Sequence, residues 1–195
     1  MKAAFYIGTR SGLPGVGSVV TRLRLSGVDG LTGANAPLSQ ISHCELVIEP
    51  HDGVDDLMPR DGLTMLPTAA PMGGALWLAG SSATDVMPPW SPRRAGARGG
   101  VRFKRIDVSD RRKWLLVELD HLPPERKRRA VQWMVDHQGA LYDWWLIGGF
   151  VVFMLPDAPD RYVCHEALGA ALGIAEPRRL PPPALCAVLD WRARP

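Results

Sequence analysis

The chain contains short segments in which apolar and polar residues alternate, separated by stretches rich in Gly and Pro. Such alternation is typical of β-strands with one buried face. It predicts five strands, over residues 2–8, 42–49, 75–82, 101–108 and 113–119. The segment 75–82 is expected to return antiparallel to 42–49. A loop rich in Gly, Ala, Asn and Pro is predicted over 27–40.

Helical patterns are strongest in the second half of the chain. Segment 124–138 begins with Pro, carries an apolar stripe at helical spacing, and is followed by Gly139 as a stop signal. Further helices are predicted over 15–25, 163–172 and 183–191. Together these elements predict an α+β fold, with an antiparallel sheet packed against helices in a single domain, residues 1–195.

Composition excludes several classes of protein. An apolar share of 46% with 22% charged residues is typical of a folded domain and not of a disordered chain. The net charge of +3 is too small to predict nucleic-acid binding. Three widely spaced cysteines without a CxxC pair argue against a disulfide framework and against a zinc site. We therefore expect reduced thiols and no metal or cofactor.

The longest apolar stretch, residues 144–155, is shorter than the roughly 20 residues that a transmembrane helix needs. We expect it to be buried, with membrane contact the less favoured alternative. The N-terminal segment lacks the apolar run of a signal peptide and is predicted to be a strand. A cytoplasmic location is therefore expected.

Cys164 is the most informative residue for chemistry, because it lies at the predicted start of a helix and Asp160 precedes it as a candidate cap. The N–H groups and the positive dipole end of a helix start favour a thiolate, which is the nucleophilic form of cysteine. The same N–H groups can stabilise an oxyanion. A buried structural cysteine is the alternative reading of the residue taken alone.

A cysteine nucleophile needs a base, and the chain has five histidines. They are His43, His51, His121, His137 and His165. Only His43 lies within a clear strand pattern, where it shares a face with Glu45 and Val47, while Cys44, Leu46 and Ile48 take the other, more apolar face. His43 is therefore the preferred base on geometry.

Five short motifs follow one another along the chain. They are SHCELV at 42–47, the Ser-Ser pair at 81–82, GGVRFK at 99–104, GALYDW at 139–144 and YVCHEALGAALG at 162–173. In this order they resemble the permuted NlpC/P60 hydrolases, notably phage-encoded and prophage-type members. The resemblance covers most of the chain between residues 42 and 173.

The resemblance implies a papain-like fold in permuted order, with the histidine strand before the cysteine helix. It assigns Cys164 as nucleophile and His43 as general base. A third polar residue should orient the imidazole. Glu45 is favoured for this role by its charge and Ser81 by its topological position, and the sequence leaves both open.

The resemblance also locates residues around the cleft. Tyr142 and Asp143 match its YD pair and are expected to line or brace the cleft, and Ser82 lies beside the second candidate orienter. His165 stands where related proteins commonly have Ser. It is expected either to raise the local positive potential and favour the thiolate, or to cover the helix end. Glu166 is expected to support the first turn through the helix dipole.

The function implied is hydrolysis or transfer at an amide or ester carbonyl through a thioacyl intermediate, with a peptide, a peptidoglycan fragment or an acyl compound as substrate. The apolar segment 144–155 leaves room for an apolar ligand. The alternative is a non-catalytic structural or assembly protein on the same fold, such as a phage component that binds other virion proteins. A phage-encoded member would be virion-associated instead of purely cytoplasmic.

Overall fold

A five-stranded antiparallel sheet lies at the centre of the structure, a computed structural model that describes residues 1–7, 41–58, 75–82, 100–143 and 160–193. Its strands are β1 (Lys2–Ile7), β2 (Ile41–Ile48), β3 (Ala75–Ser82), β4 (Gly100–Asp107) and β5 (Trp114–Glu118). The spatial order is β4-β3-β2-β1-β5, with antiparallel neighbours throughout. The five predicted strands and the antiparallel return of β3 are confirmed, with small differences at the strand ends.

The middle strand, β2, carries two different faces. Cys44, Leu46 and Ile48 belong to a core that the sheet shares with the helices. Val47 belongs to a smaller cluster on the opposite face, with Ala4 from β1 and other buried side chains. The predicted division of the strand is therefore confirmed, and it follows from the alternation of side chains along extended backbone.

Three α-helices within the described ranges pack on the first of these faces. They are α1 (Pro124–Asp136), α2 (Cys164–Ala171) and α3 (Pro182–Ala193), and each matches a predicted helix to within two residues at either end. Helix α2 contacts β2 and β3 and lies between α1 and α3. The coarse prediction of an α+β architecture with an antiparallel sheet against helices is confirmed.

A short parallel pair of strands leads into α2. Strand β6 (Leu141–Tyr142) pairs with β7 (Arg161–Tyr162), and Val163 then forms the N-cap of α2 in extended conformation. The expectation that Asp160 caps this helix is wrong, because Arg161 and Tyr162 are strand residues that separate Asp160 from the helix start. Asp160 instead occupies a turn, with a φ of 64°.

Three sequence expectations fall on residues outside the described ranges. They are the helix over 15–25, the loop over 27–40 and the buried apolar segment 144–155. Within the described ranges, none of the helices has the length and apolarity that a membrane span requires.

The start of β4 depends on a glycine. Gly100 has a φ of 106°, and a Cβ atom there would lie 2.0 Å from the carbonyl oxygen of Ala140. This close approach accompanies backbone hydrogen bonds from Val101 to Ala140 and from Gly139 to Val101, both 2.9 Å long. The chain can therefore connect α1 to β6 beside β4 only with glycine at position 100.

We predict that Gly100→Ala lowers the free energy of unfolding by about 3 kcal/mol or more, because backbone strain adds to a clash with backbone. Gly53→Ala is the matched control: Gly53 has a φ of 68°, but a Cβ there meets nothing within 4 Å. It should cost only the left-handed strain, about 1 kcal/mol. Urea unfolding measures both, and equal losses would contradict the proposed close approach.

Candidate active site

Cys164 is the first residue of α2, as the sequence predicts. Its N-cap, Val163, has no polar side-chain atom with which to accept a hydrogen bond from the first turn. The positive end of the helix dipole therefore acts on the Cys164 sulfur without competition from a capping side chain. The thiol is buried, with 5% of the residue exposed.

Cys164 contacts one residue from each face of β2. Its sulfur is in hydrogen-bonding contact with the Cys44 thiol and with the His43 ring. The pairing of β2 with β3 covers only Leu46–Ile48, so His43 and Cys44 lie outside the paired part of the strand on this side. Side chains from both faces at this end of β2 are thus within reach of the same helix start.

The His43 ring also contacts Glu45. The Nε2 atom of His43 lies 2.6 Å from Oε1 of Glu45, two residues further along β2. Because Glu45 occupies Nε2, Nδ1 is the ring nitrogen that remains for the contact with Cys164. Of the two candidate orienters that the sequence left open, Glu45 is therefore the one that contacts the imidazole.

Ser81 makes a different contact. Its hydroxyl donates to the carbonyl oxygen of Tyr162 at 2.5 Å, and Asp143 N–H donates to the same carbonyl at 3.4 Å. Tyr162 lies two residues before Cys164. Ser81 and Asp143 therefore hold the segment from which the helix of Cys164 begins.

Glu45 has no exposed surface, and the ammonium group of Lys104 on β4 forms an ion pair with its Oε1 atom. Burial alone would raise the pKa of the Glu45 carboxyl. The positive charges of Lys104 and His43 outweigh that effect and lower the pKa from its ordinary 4.5 to about 2. Glu45 is thus a carboxylate at neutral pH.

The charges of the site favour a thiolate on Cys164 and an imidazolium on His43. The largest effect on the pKa of Cys164 is a hydrogen bond from Cys44, which lowers it. Burial opposes this decrease, and the charge of His43 lowers the pKa further. Burial would lower the pKa of His43, but the charges of Glu45 and Cys164 raise it. Burial and the neighbouring Cys164 raise the pKa of Cys44, which therefore stays a thiol and can donate.

Two of the remaining predicted cleft residues, His165 and Tyr142, lie near Cys164. His165 is buried, and its side chain also makes a hydrogen bond to Cys164 that lowers the pKa of the thiol. Tyr142 is buried beside Cys164, and burial together with the Cys164 charge raises the pKa of its phenol. Ser82 ends β3, where its Cα pairs with that of Gly100.

Three residues of the site were not identified from the sequence. Cys44 lies on the opposite face of the strand from His43, so the pattern gave no reason to bring the two together. Lys104 alternates with apolar neighbours, which is also the pattern of an exposed lysine on a strand. Gly80 allows Glu45 to occupy its position, since a Cβ at residue 80 would lie 3.1 Å from Cγ of Glu45. The sequence signal for Gly80 was a glycine inside a strand pattern, which often marks a close approach.

One group of described side chains has the spacing of metal ligands, away from Cys164. The ligand atoms of Glu49, His51 and Asp52 lie within 4.8 Å of one another. The amino group of Met1 already pairs with both carboxylates, 3.2 Å from Glu49 and 2.5 Å from Asp52. Lys2 also pairs with Glu49 at 2.9 Å, and Lys127 lies 3.5 Å from Asp52. Because these cations compensate both carboxylates, we assign no metal to the group.

A groove of about 450 Å³ lies between α1 and the end of α2, lined by residues that include Leu122, Arg126, Trp133 and Leu172. It adjoins the C-terminal end of α2, whereas Cys164 starts the helix. An eight-residue helix is about 12 Å long. The groove is therefore not part of the site around Cys164.

Comparison of the chain with protein-family models, with curated proteins and with solved structures yields no match. The assignment of the site therefore depends on its own geometry and charge.

We predict that the ion pairs of Glu45 make stability fall in acid. A carboxyl whose pKa is lower in the folded state than in the unfolded state stabilises the fold above its ordinary pKa, here 4.5, and loses this contribution as the pH falls toward about 2. The difference amounts to about 3 kcal/mol at neutral pH. Urea unfolding at a series of pH values should show this fall in the wild type.

The Glu45→Gln variant should have a flatter profile over the same range, because it has no carboxyl to protonate at this position. Glu125→Gln, which removes an exposed carboxyl from the first turn of α1, is the control and should follow the wild-type profile. An acid profile of Glu45→Gln parallel to the wild type would contradict the low pKa of Glu45.

Proposed function

We propose that this protein is a cysteine hydrolase that cleaves an amide or ester bond through a thioacyl intermediate on Cys164. The observation that carries the proposal is the contact of Cys164, at a helix start, with His43, whose other ring nitrogen lies 2.6 Å from the buried Glu45 carboxylate. Nucleophile, base and orienter are arranged in this way in cysteine and serine hydrolases on unrelated folds.

In the proposed reaction the Cys164 thiolate attacks the substrate carbonyl carbon, and the carbonyl electron pair moves to oxygen. The tetrahedral intermediate collapses, the bond to the leaving amine or alcohol breaks, and the His43 imidazolium gives that group its proton. His43 then removes a proton from water, which attacks the thioacyl carbonyl. The C–S bond breaks, the carboxylic acid leaves, and the proton held by His43 restores the imidazolium opposite the thiolate.

The helix start supplies electrostatic support for this sequence. In the proposed reaction the backbone N–H of Cys164 and the positive dipole end of α2 stabilise the negative charge that develops on the substrate oxygen. Because Val163 offers no side-chain acceptor to the first turn, this end of the helix suits an oxyanion.

The permuted NlpC/P60 family is part of the proposal. The strand that carries His43 precedes the helix that carries Cys164 in the chain, and this helix packs against β2 and β3 of the sheet. Both features are consistent with a papain-like fold in permuted order. A peptide, a peptidoglycan fragment or an acyl compound is the substrate class that this family assignment favours.

Alkylation tests the nucleophile without a known substrate. We predict that iodoacetamide modifies Cys164 faster than Cys44 or Cys186 near neutral pH, because only Cys164 lies at a helix start, whereas burial raises the pKa of Cys186 to about 12. His43→Ala should slow the modification of Cys164 by about tenfold or more, since the thiolate loses its imidazolium partner. Peptide mass spectrometry identifies the modified cysteine.

His121→Ala is the matched control, because His121 is exposed and precedes α1, away from Cys164. It should leave the alkylation rate of Cys164 unchanged. An unchanged rate in folded His43→Ala would show that the two residues are not coupled, and a non-catalytic role on this fold would then be the better account.

Acyl transfer is tested with p-nitrophenyl acetate as a probe. The wild type should release nitrophenol and carry an acetyl group on Cys164 in rapidly quenched samples, and Cys164→Ala should do neither. A folded wild type that is never acetylated at Cys164 would favour a structural or assembly protein over an enzyme.

The two candidate orienters should differ in the same assay. Glu45→Gln should lower the acylation rate clearly, because the imidazole loses the carboxylate at its Nε2 atom. Ser81→Ala removes the hydrogen bond to Tyr162 and should lower the free energy of unfolding by about 1 kcal/mol. Its effect on the acylation rate should be smaller than that of Glu45→Gln. A larger loss of acylation rate in Ser81→Ala than in Glu45→Gln would assign the orienting role to Ser81.

A further inference from the structure

Lys104 is a buried cation that reaches the catalytic residues from a strand two positions away. Its Cα pairs with that of Leu78 on β3, which pairs in turn with Val47 on β2. Paired residues in neighbouring strands share a face, so Lys104 lies on the face of β2 that also carries Glu45. The residue is 5% exposed.

The ammonium group of Lys104 contacts the same carboxylate oxygen as His43. Both Nζ of Lys104 and Nε2 of His43 are paired with Oε1 of Glu45. A carboxylate is an acceptor only, so with Glu45 ionised the Nε2 atom of His43 must be the donor. The Nδ1 atom is then the position at which the ring can take and return a proton.

A protonated Glu45 would reverse this arrangement. Its O–H group could donate to Nε2, which would place the ring proton on Nδ1 and remove the acceptor that Cys164 needs. A neutral carboxyl would also give no charge to stabilise an imidazolium. The protonation state of Glu45 therefore decides whether His43 can act as a base, and the ammonium group of Lys104 is paired with that carboxylate.

We propose that Lys104 is a positioning residue of this site, whose buried ammonium group keeps Glu45 ionised and thereby directs the basic nitrogen of His43 toward Cys164. The inference rests on the proposed function. In this scheme Lys104 is not one of the reacting groups and acts through Glu45.

Other charged or titratable side chains lie around this network. On β4, Arg102 is buried on the same face as Lys104 and donates from Nε to the carbonyl of Gly100 at 3.1 Å. On the helix side the groups near His43 are the thiols of Cys44 and Cys164, with His165 on α2 and Tyr142 and Asp143 beside it. Because these groups can also affect the alkylation of Cys164, the experiment must measure the part of the effect of Lys104 that depends on Glu45.

The test is the pH dependence of Cys164 alkylation by iodoacetamide, followed by peptide mass spectrometry. Lys104→Met should move the midpoint of the profile upward by about one pH unit or more, which corresponds to about a tenfold lower rate on the acid side. Lys104→Arg keeps a positive charge beside Glu45 and should restore most of the rate. Lys127→Met, which removes a lysine paired with Asp52 and Asp120 elsewhere, should keep the wild-type profile.

A double-mutant cycle separates a role through Glu45 from a general structural effect. Glu45→Gln alone should shift the profile as Lys104→Met does, and adding Lys104→Met to Glu45→Gln should cause no further shift. The double variant contains no buried charge from this pair, and in Glu45→Gln the amide oxygen can still accept a hydrogen bond from Lys104, so these two variants can be compared even where Lys104→Met alone does not fold.

The profiles of these variants distinguish a failure of the role of Lys104 from a failure of the proposed function. A further shift in the double variant, or a folded Lys104→Met protein with the wild-type profile, would overturn the role of Lys104. If His43→Ala shifts the profile and Lys104→Met does not, the inference on Lys104 fails and the proposed function stands. If His43→Ala leaves the profile unchanged, the proposed function itself fails, and with it the role of Lys104.

Discussion

The carboxylate of Glu45 lies in the middle strand of the sheet with no exposed surface, and the geometry of the site depends on how its charge is compensated. A buried, unpaired carboxylate would cost several kcal/mol, so it requires cations at contact distance. Lys104 supplies one from β4 and His43 supplies another from β2 itself. The contact between Glu45 and His43 also fixes the orientation of the imidazole, so the interactions that stabilise the buried charge also position the ring.

The position of Cys164 depends on a second set of contacts, on the other face of the sheet. The carbonyl of Tyr162 accepts hydrogen bonds from Ser81 on β3 and from the backbone of Asp143, which hold the chain two residues before the helix. Helix α2 then packs its apolar residues, such as Ala167 and Leu168, into the shared core. Cys164 is therefore held by backbone and packing, and the pKa of its thiol is lowered by the groups that face it.

Much of the fold could be predicted because periodicity records local backbone structure. The alternation around Glu45 predicted both the strand and its two faces, and the stripe in α1 with Gly139 after it predicted that helix. The expected cap at Asp160 was wrong because a two-residue strand stands between it and the helix. That strand exists only through pairing with β6, a partner distant in sequence, which no local pattern records.

The sequence by itself determined the strands, the helices, the faces of β2 and the choice of Cys164 and His43 as candidate partners, because these follow from residue type and from spacing within one segment. Only the tertiary structure decided that Glu45 and not Ser81 contacts the imidazole, that Cys44 reaches Cys164 from the opposite face, and that Lys104 is buried against Glu45. Those contacts join residues of different strands and helices. Strand register and packing set them, and a lysine that alternates with apolar residues has the same local pattern whether it meets water or a buried carboxylate.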